Sequence, residues 1–229
     1  MLLTADNLLP HHGEVFLYPG FFSKSESDAY LNHLMQDIGW KHEPIKLFGK
    51  TIMQPRLTAL FGDSEKKYTY SGITMSANIW TAGLLEMKIR VEKITGVTFT
   101  GALLNLYRDG NDSMGWHRDN EKELGKFPVI ASLSFGAARK FQLREYATKE
   151  NTRTLFLEHG HLLVMRGETQ QHWEHRVPKD IREPHSRVNI TFRVLKWFSD
   201  FFFQIHEIIF KWMNIHLYLH PKNESKGRK

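Results

Sequence analysis

The sequence contains no cysteine, and this absence removes several classes of site at once. A disulfide scaffold, a thiol nucleophile, an iron–sulfur cluster and a cysteine-ligated zinc finger are all excluded. The sequence also lacks internal repeats and low-complexity stretches. Its first ten residues, MLLTADNLLP, lack a basic start, a long apolar run and a small-residue cleavage site. These features predict no secretory signal, and we expect an intracellular protein, cytoplasmic in a bacterium or nuclear in a eukaryote.

The composition is that of a globular protein, with 229 residues of which 41% are hydrophobic and 24% are charged. These values exclude collagen, a coiled coil and wholesale disorder, and the length suits one domain with appendages. The net charge of +6 favours a polyanionic partner. However, half of that excess lies in residues 196–229, which carry six basic and three acidic side chains. Charge alone therefore does not make the body of the chain a nucleic-acid binder.

Two helices and a series of strands are predicted. Ser23 and Glu26 form a capping-type start for a helix over 24–38, closed by Gly39. A second helix is predicted over 78–95, with Gly96 as its stop. Residues 44–75, rich in proline and glycine, are predicted to be irregular. Strands are predicted at 99–108, 128–135, 139–145, 153–158, 161–166 and 187–195. Many short strands without long helices between them predict a sandwich or barrel of antiparallel strands.

The last segment, residues 196–229, differs in character from the rest of the chain. It holds 8 of the 29 aromatic residues, and its apolar residues recur at the three- and four-residue spacing of an amphipathic helix. Asp200, Glu207 and Lys211 interrupt this pattern and argue against a transmembrane span. Three interpretations stay open: a helix docked on the body or on a partner, a helix at a membrane surface, or an extension that folds poorly.

A candidate metal site follows from three residues. His117 and Asp119 form a His-x-Asp pair, and His175 follows 56 residues after Asp119. Two imidazoles and one carboxylate are the facial triad of non-haem iron(II) oxygenases, which leaves positions open for a co-substrate and dioxygen. His172 competes with His175 for the third place, and a His-x-Asp pair is weak evidence when the chain contains 13 histidines.

A candidate acid-binding strand follows the candidate ligands. Strict alternation over 187–194 places four apolar side chains on one face of the strand and four polar side chains on the other. The polar residues are Arg187, Asn189, Thr191 and Arg193. Guanidinium groups bind carboxylates through paired hydrogen bonds, so two arginines on one face suit a dianion. They lie about 20 Å apart at roughly 3.3 Å per residue, which predicts one near the metal and one at the far carboxylate. Asn105 and Tyr107 share a face of an earlier strand and offer further hydrogen bonds.

In this order, these motifs resemble the AlkB family of iron(II)- and 2-oxoglutarate-dependent dioxygenases. The resemblance covers about residues 13–195 and includes Ser132–Gly136 and Arg139–Phe141. It implies a mainly β protein with a double-stranded β-helix (jelly-roll) core over 99–195 and an N-terminal extension with a nucleotide-recognition lid over 1–98. It also implies Fe(II), 2-oxoglutarate and dioxygen as cofactor and co-substrates. The implied iron ligands are His117, Asp119 and His175, and the implied 2-oxoglutarate residues are Asn105, Tyr107, Arg187, Asn189, Thr191 and Arg193.

The resemblance further implies oxidative demethylation of 1-methyladenine and 3-methylcytosine in DNA, with RNA left open. A methyl group on the Watson–Crick edge is reached only after base flipping. Phe48, with Gly49 and Lys50, resembles the hairpin whose apolar residue fills the vacated stack. Tyr68 and Tyr70 resemble the lid aromatics, and Asn120 stands where similar repair enzymes often carry an acid. That departure leaves the preference for a cationic base open.

Two other interpretations of the same residues are retained. One is a 2-oxoglutarate oxygenase that acts on protein, lipid or tRNA. The other is a catalytically silent nucleic-acid-binding module, which the intact ligand set argues against. We expect a monomer that binds DNA and not a membrane.

Overall fold

The computed structural model of the protein describes residues 6–47, 50–63, 67–70 and 73–195. The described elements are, in chain order, β1 (Glu14–Tyr18), α1 (Lys24–Asp37), β2 (Pro44–Leu47), β3 (Lys50–Met53), β4 (Leu57–Gly62), β5 (Lys67–Tyr70), β6 (Ile73–Ser76), β7 (Asn78–Ile79), α2 (Ala82–Thr95), β8 (Gly101–Tyr107), β9 (Met114–His117), β10 (Ile130–Gly136), β11 (Arg139–Glu145), β12 (Arg153–Leu157), β13 (His161–Arg166), α3 (Thr169–His172), β14 (Trp173–Val177) and β15 (Arg187–Arg193).

Two sheets make up the body of the fold. The major sheet has the strand order β1-β13-β10-β15-β8-β4-β7, and the minor sheet has the order β12-β11-β14-β9. Their strands pair antiparallel, apart from the short parallel pair β4–β7. This arrangement confirms the predicted mainly β fold with a jelly-roll core. The hairpins β2–β3 and β5–β6 form two further small sheets.

The major sheet is buried on both faces. One face packs against α1 and α2, through contacts of Leu34, Leu84 and Val91 with strand residues such as Leu104 and Ile190. The other face lies in a second core to which both sheets contribute, including Tyr107 and Ile130 from the major sheet and Phe141, Leu143 and Trp173 from the minor sheet. A polar residue on this second face is therefore enclosed between the sheets and not exposed to water.

The helix ends confirm the capping residues. The Ser23 hydroxyl accepts from the Glu26 amide at 3.3 Å, and the Glu26 carboxylate accepts from the Ser23 amide at 2.8 Å. Helix α2 ends at Gly96, whose φ of 70° suits glycine. The predicted start of α2 at 78 is wrong, because Asn78–Ile79 pairs with β4. Thr81 caps the helix, which begins at Ala82, four residues later than predicted.

The prediction that 44–75 is irregular is wrong. This region contains β2, β3, β5 and β6, and β4 is a buried strand of the major sheet that pairs with β8. The sequence of β4, LTALFG, is short and enclosed on both faces, so it shows no polar alternation. The six predicted strands correspond to β8, β10, β11, β12, β13 and β15, whose ends lie within two residues of those predicted.

The domain organisation follows from these pairings. Strands β1 and β4 come from the first 98 residues, yet they lie in the same sheet as strands of 99–195. Contacts divide the chain into two units after Leu195. The predicted amphipathic tail, residues 196–229, lies outside the described residues. In the described part of the chain, every helix is too short or too polar to cross a membrane.

Candidate metal and diacid site

The polar face of β15 lies between the two sheets. Register pairs Arg187 with Tyr107 and Asn189 with Asn105 across β15 and β8, so these side chains share one face. All four are buried, as are Thr191 and Arg193. Two arginines inside a sandwich are costly unless a partner compensates their charge.

The three candidate metal ligands converge at one end of this face. His117 ends β9 and lies directly opposite His175 on β14, with ring centroids 4.2 Å apart. Asp119 follows two residues after His117 and faces both rings. Its Oδ1 lies 4.0 Å from His117 Nε2, and its Oδ2 lies 3.9 Å from His175 Nε2. One ligand atom from each residue lies within 4.8 Å of the others, so the three residues could hold one metal ion.

His172, the alternative third ligand, does not belong to this group. It ends α3, is exposed, and lies beside His12 and Glu168. Three residues separate it from His175, but α3 gives way to β14 between them, and only the strand residue points between the sheets.

Neighbouring groups fix the orientation of the triad. The Nδ1–H of His117 donates to the Gly115 carbonyl at 2.9 Å, which leaves the lone pair of Nε2 on the side of Asp119. The amide of Asp119 donates to Gln170 Oε1, also at 2.9 Å. The ring of His175 stacks on Phe141 at a centroid distance of 5.2 Å. Such outer contacts hold ligating side chains in place before a metal arrives.

The electrostatics favour the ligating form of each residue. The pKa of His175 is lowered to about 3, chiefly by burial, and the neighbouring His117 contributes to this lowering while Asp119 opposes it. Burial also lowers the pKa of His117, again against Asp119. Burial alone would raise the pKa of Asp119, but Arg193 and the two histidines hold it below its usual value. Two neutral imidazoles and an ionised carboxylate are the forms that bind a divalent metal.

The other end of the polar face presents a cation that fits a carboxylate. Arg187 is 1% exposed, and its Nη2 donates to Ser134 Oγ at 2.9 Å. Its Nε and Nη1 find no hydrogen-bond partner in the described part of the chain. Burial lowers the pKa of Arg187 to about 10. Arg193 lies instead at the metal end, with Nη2 2.8 Å from Asp119 Oδ1. A dicarboxylate that reached from the metal to Arg187 would accept hydrogen bonds from the Nε and Nη1 of Arg187.

Asn189 and Asn105 are held by hydrogen bonds within the protein. The amide of Asn189 donates to Ser132 Oγ at 2.7 Å and to the Leu133 carbonyl at 2.9 Å. Asn105 Oδ1 accepts from the Nε of buried Arg56 at 2.7 Å. Nevertheless, all of the predicted metal and 2-oxoglutarate residues line a single cavity. They are His117, Asp119, His175, Asn105, Tyr107, Arg187, Asn189, Thr191 and Arg193.

Comparison with known proteins agrees with this geometry. A family model described as the 2OG-Fe(II) oxygenase superfamily matches residues 14–193. Alpha-ketoglutarate-dependent dioxygenase alkB homolog 3 of Homo sapiens is 46% identical over 191 residues, which are 79% of this chain and 66% of that protein. DNA oxidative demethylase ALKBH2 of Mus musculus is 39% identical over 186 residues, which are 77% of this chain and 78% of that protein. The chain belongs to the AlkB family of 2OG-Fe(II) oxygenases.

The AlkB fold is also found by structural comparison. A solved structure of OsALKBH1 superposes with a TM-score of 0.58 at 16% identity and covers 78% of this chain and 97% of its own. The chain spans 64–66% of the length of the alkB homolog 3 relatives from human, rat, mouse and cattle. Fe(II), 2-oxoglutarate and dioxygen are the standard requirements of the superfamily, and the triad and Arg187 fit the first two.

Of the predicted substrate residues, Lys50 and Asn120 have described side chains, and neither lines this cavity. Lys50 is exposed at the start of β3, and Asn120 is exposed directly after buried Asp119. Phe48 and Gly49 lie outside the described residues. Tyr68 and Tyr70 belong to β5, but their side chains are not among those described. Their roles stay predictions.

Sequence reasoning missed three polar residues around the AlkB site. Gln170 holds Asp119, Arg56 holds Asn105, and Glu121 lies beside Asp119. Burial, with the charge of Asp119 second, raises the pKa of Glu121. No local pattern marks these residues. By contrast, the alternation of Ser132 and Ser134 within the otherwise apolar β10 signals a polar inner face.

The buried histidines predict a pH-dependent stability for the metal-free protein. The pKa of His175 is about 3 when folded, against an ordinary 6.5, so below pH 6.5 the unfolded chain binds a proton that the folded chain does not. Stability is therefore complete above about pH 6.5 and falls as pH drops toward 3, by about 1.4 kcal/mol per pH unit from this group. Denaturant unfolding at a series of pH values measures the slope.

His175→Gln should make that slope shallower by about 1.4 kcal/mol per pH unit between pH 5.5 and 4. His42→Gln, which changes an exposed histidine whose ring bonds to the Gln54 carbonyl at 2.7 Å, serves as the control and should not produce this change in slope. An equal slope in His175→Gln and in the wild type would contradict the assignment of a buried neutral imidazole.

Proposed function

We propose that this AlkB-family chain is an Fe(II)- and 2-oxoglutarate-dependent oxidative demethylase of alkylated bases in DNA, with 1-methyladenine and 3-methylcytosine as substrates and RNA as a second substrate. One observation carries the oxygenase part: a His–Asp–His cluster and a buried arginine with orphaned donors share one cavity. The nucleic-acid part is supported by the mouse relative that is named a DNA oxidative demethylase.

In this proposal each residue has a defined task. His117, Asp119 and His175 would hold Fe(II), and a set of three protein ligands would leave positions for the co-substrate. Arg187 binds the far carboxylate of 2-oxoglutarate, with Ser134 and Tyr107 beside it. Arg193 binds one oxygen of Asp119 and thereby leaves the other to the metal.

The bound iron and 2-oxoglutarate supply the oxidising power with dioxygen, and the products are the repaired base, formaldehyde, succinate and carbon dioxide. The protein contributes binding, orientation and exclusion of water. The hydrophobic lining of the cavity includes Leu103, Met114, Phe141, Met165 and Val177. This lining keeps the reacting centre dry and confines oxidation to the substrate.

The nucleotide-binding part of the proposal rests on the N-terminal hairpins. Strands β2 and β3 pair at Leu47 and Lys50, and Phe48 and Gly49 are the two residues between them. We assign Phe48 as the wedge that fills the vacated stack. Tyr68 and Tyr70 on β5 are assigned to stacking on the flipped base, since aromatic rings stack on any base. Asn120, which follows Asp119 in the chain, is assigned to hydrogen bonding with the polar edge of the flipped base. The proposed enzyme acts as an intracellular monomer.

Release of formaldehyde from methylated oligonucleotides tests the function. Single- and double-stranded DNA and RNA that carry 1-methyladenine or 3-methylcytosine form the substrate arms, and unmethylated strands form the control. We expect formaldehyde from the methylated DNA and RNA arms only when iron and 2-oxoglutarate are both present.

Anaerobic titration with Fe(II) and 2-oxoglutarate separates the alternatives. An absorption band from the ternary complex without formaldehyde from any oligonucleotide would sink the nucleic-acid assignment and retain an oxygenase. Absence of both the absorption band and formaldehyde release would reject the proposal that the protein is an oxygenase.

A further inference from the structure

A second histidine–carboxylate cluster lies on the surface, outside the catalytic cavity. It consists of His12, Glu168 and His172, which we call the outer cluster, and all three residues are exposed. Glu168 Oε2 lies 3.7 Å from His12 Nδ1 and 3.9 Å from His172 Nε2. The corresponding distances in the catalytic triad are 4.0 Å and 3.9 Å. In each set, the three ligand atoms lie within 4.8 Å of one another.

The backbone brings the outer cluster together from two distant segments. The amide of Glu14 donates to Thr169 Oγ1 at 2.9 Å, and that hydroxyl lies 3.1 Å from the Glu14 carbonyl. Gly13 has a φ of 143°, and a Cβ there would lie 2.7 Å from Thr169 Oγ1. The loop that carries His12 is therefore pressed against the start of α3. His12 and His172 stack with ring centroids 4.7 Å apart.

The two imidazoles and the carboxylate of the outer cluster are better placed to bind a cation than to bind one another. One nitrogen of each imidazole lies near the same carboxylate oxygen, at 3.7 Å and 3.9 Å, which is beyond hydrogen-bond distance. Tetrahedral zinc, with bonds of about 2.0–2.2 Å to nitrogen and oxygen, would need these atoms only a few tenths of an ångström closer. Two imidazoles and a carboxylate also match the ligand preference of zinc and similar divalent transition metals.

We propose that the outer cluster is a second metal site, which binds Zn²⁺ or a similar divalent transition metal and ties the segment around His12 to α3. The bound ion keeps water in its remaining positions because all three ligands face solvent. This link extends to the catalytic site, since the side-chain oxygen of Gln170, in the same short helix, accepts a hydrogen bond from the backbone amide of Asp119.

Counting Zn²⁺ equivalents on the metal-free, full-length chain tests the proposal. Zn²⁺ is titrated against a coloured competing chelator, and the wild type is expected to bind two equivalents. His12→Ala is expected to lose one equivalent, His117→Ala to lose the other, and the double variant to lose both. Glu168→Gln, which preserves the shape of the side chain, should lose the same equivalent as His12→Ala.

Two controls keep this test decisive. His185→Ala removes an exposed histidine that also pairs with a glutamate, and it should still bind two equivalents. The equivalent that His12→Ala retains reports that the variant is folded. In the His117→Ala background, Zn²⁺ should raise the melting temperature, and adding His12→Ala should abolish that rise. A wild type that binds one equivalent, or a His12→Ala variant that still binds two, would overturn the second site.

Discussion

Asp119→Ala is expected to lose both metal binding and formaldehyde release. Asp119 contributes the only carboxylate among the three clustered ligand residues, and its two oxygens lie about equally close to His117 and His175. Without it, two neutral imidazoles remain, and the positive charge of Arg193 next to them repels a divalent cation. Turnover should fall below detection in the formaldehyde assay, and the triad's metal equivalent should be lost in a titration.

The same change is expected to destabilise the protein. Asp119 and Arg193 form a buried ion pair at 2.8 Å, and removing one member of such a pair costs about 3–5 kcal/mol. Asp119→Asn keeps an oxygen that can accept from Arg193, so it should lose metal binding with a smaller loss of stability. Denaturant unfolding of the two variants measures this difference.

Asp112 provides the matched control for these effects. It is also a buried aspartate, and its carboxylate accepts from Arg108 at 2.8 Å, but it does not face the triad. Asp112→Asn should lose stability and retain turnover per folded molecule. Normal formaldehyde release from Asp119→Ala would refute the assignment of Asp119 as a ligand.

The sequence specified the local parts of this fold more fully than the parts made by distant pairing. The capping box of Ser23 and Glu26 and the stop at Gly96 depend on residues within one helical turn, and both are confirmed. Strand β4 was missed because its inclusion in the major sheet depends on β8, some 40 residues later. The alternation of β15 predicted a polar face, but only the second sheet shows that this face is enclosed.

The candidate site divides in the same way. Order and spacing along the chain single out His117, Asp119 and His175, although His172 could be set aside only once α3 and β14 were seen to place it on the surface. Gln170 and Arg56 reach their partners across 51 and 49 residues. Contacts over such separations follow from the packing of the sheets, and no periodicity of the chain encodes them.

Arg187→Met is expected to separate co-substrate binding from stability. In the absence of a diacid, Arg187 is a buried cation with two nitrogens that lack partners in the described part of the chain. A buried charge without a compensating partner is costly, so an apolar side chain of similar length in its place should not destabilise the fold. The metal-free variant should therefore unfold at the same or a higher denaturant concentration than the wild type.

The cost of this substitution should fall on 2-oxoglutarate. Losing one partner of a buried, hydrogen-bonded charge pair weakens binding by about 2–5 kcal/mol, which is roughly 30- to 5,000-fold in affinity. Titration of the metal-loaded, anaerobic protein with 2-oxoglutarate measures that loss. The stabilisation that 2-oxoglutarate gives the wild type in thermal unfolding should disappear with it.

Arg139→Met is the control, because Arg139 is equally buried but both of its terminal nitrogens already donate to the protein. Its terminal nitrogens donate to the backbone carbonyls of Asp109, Asp112 and Pro178 at 2.8–3.1 Å. Removing it leaves buried carbonyls without donors, so Arg139→Met should destabilise the fold while 2-oxoglutarate still binds. If Arg187→Met were as destabilising as Arg139→Met and bound 2-oxoglutarate normally, then Arg187 would be a structural residue, and the far carboxylate would have to bind elsewhere in the cavity.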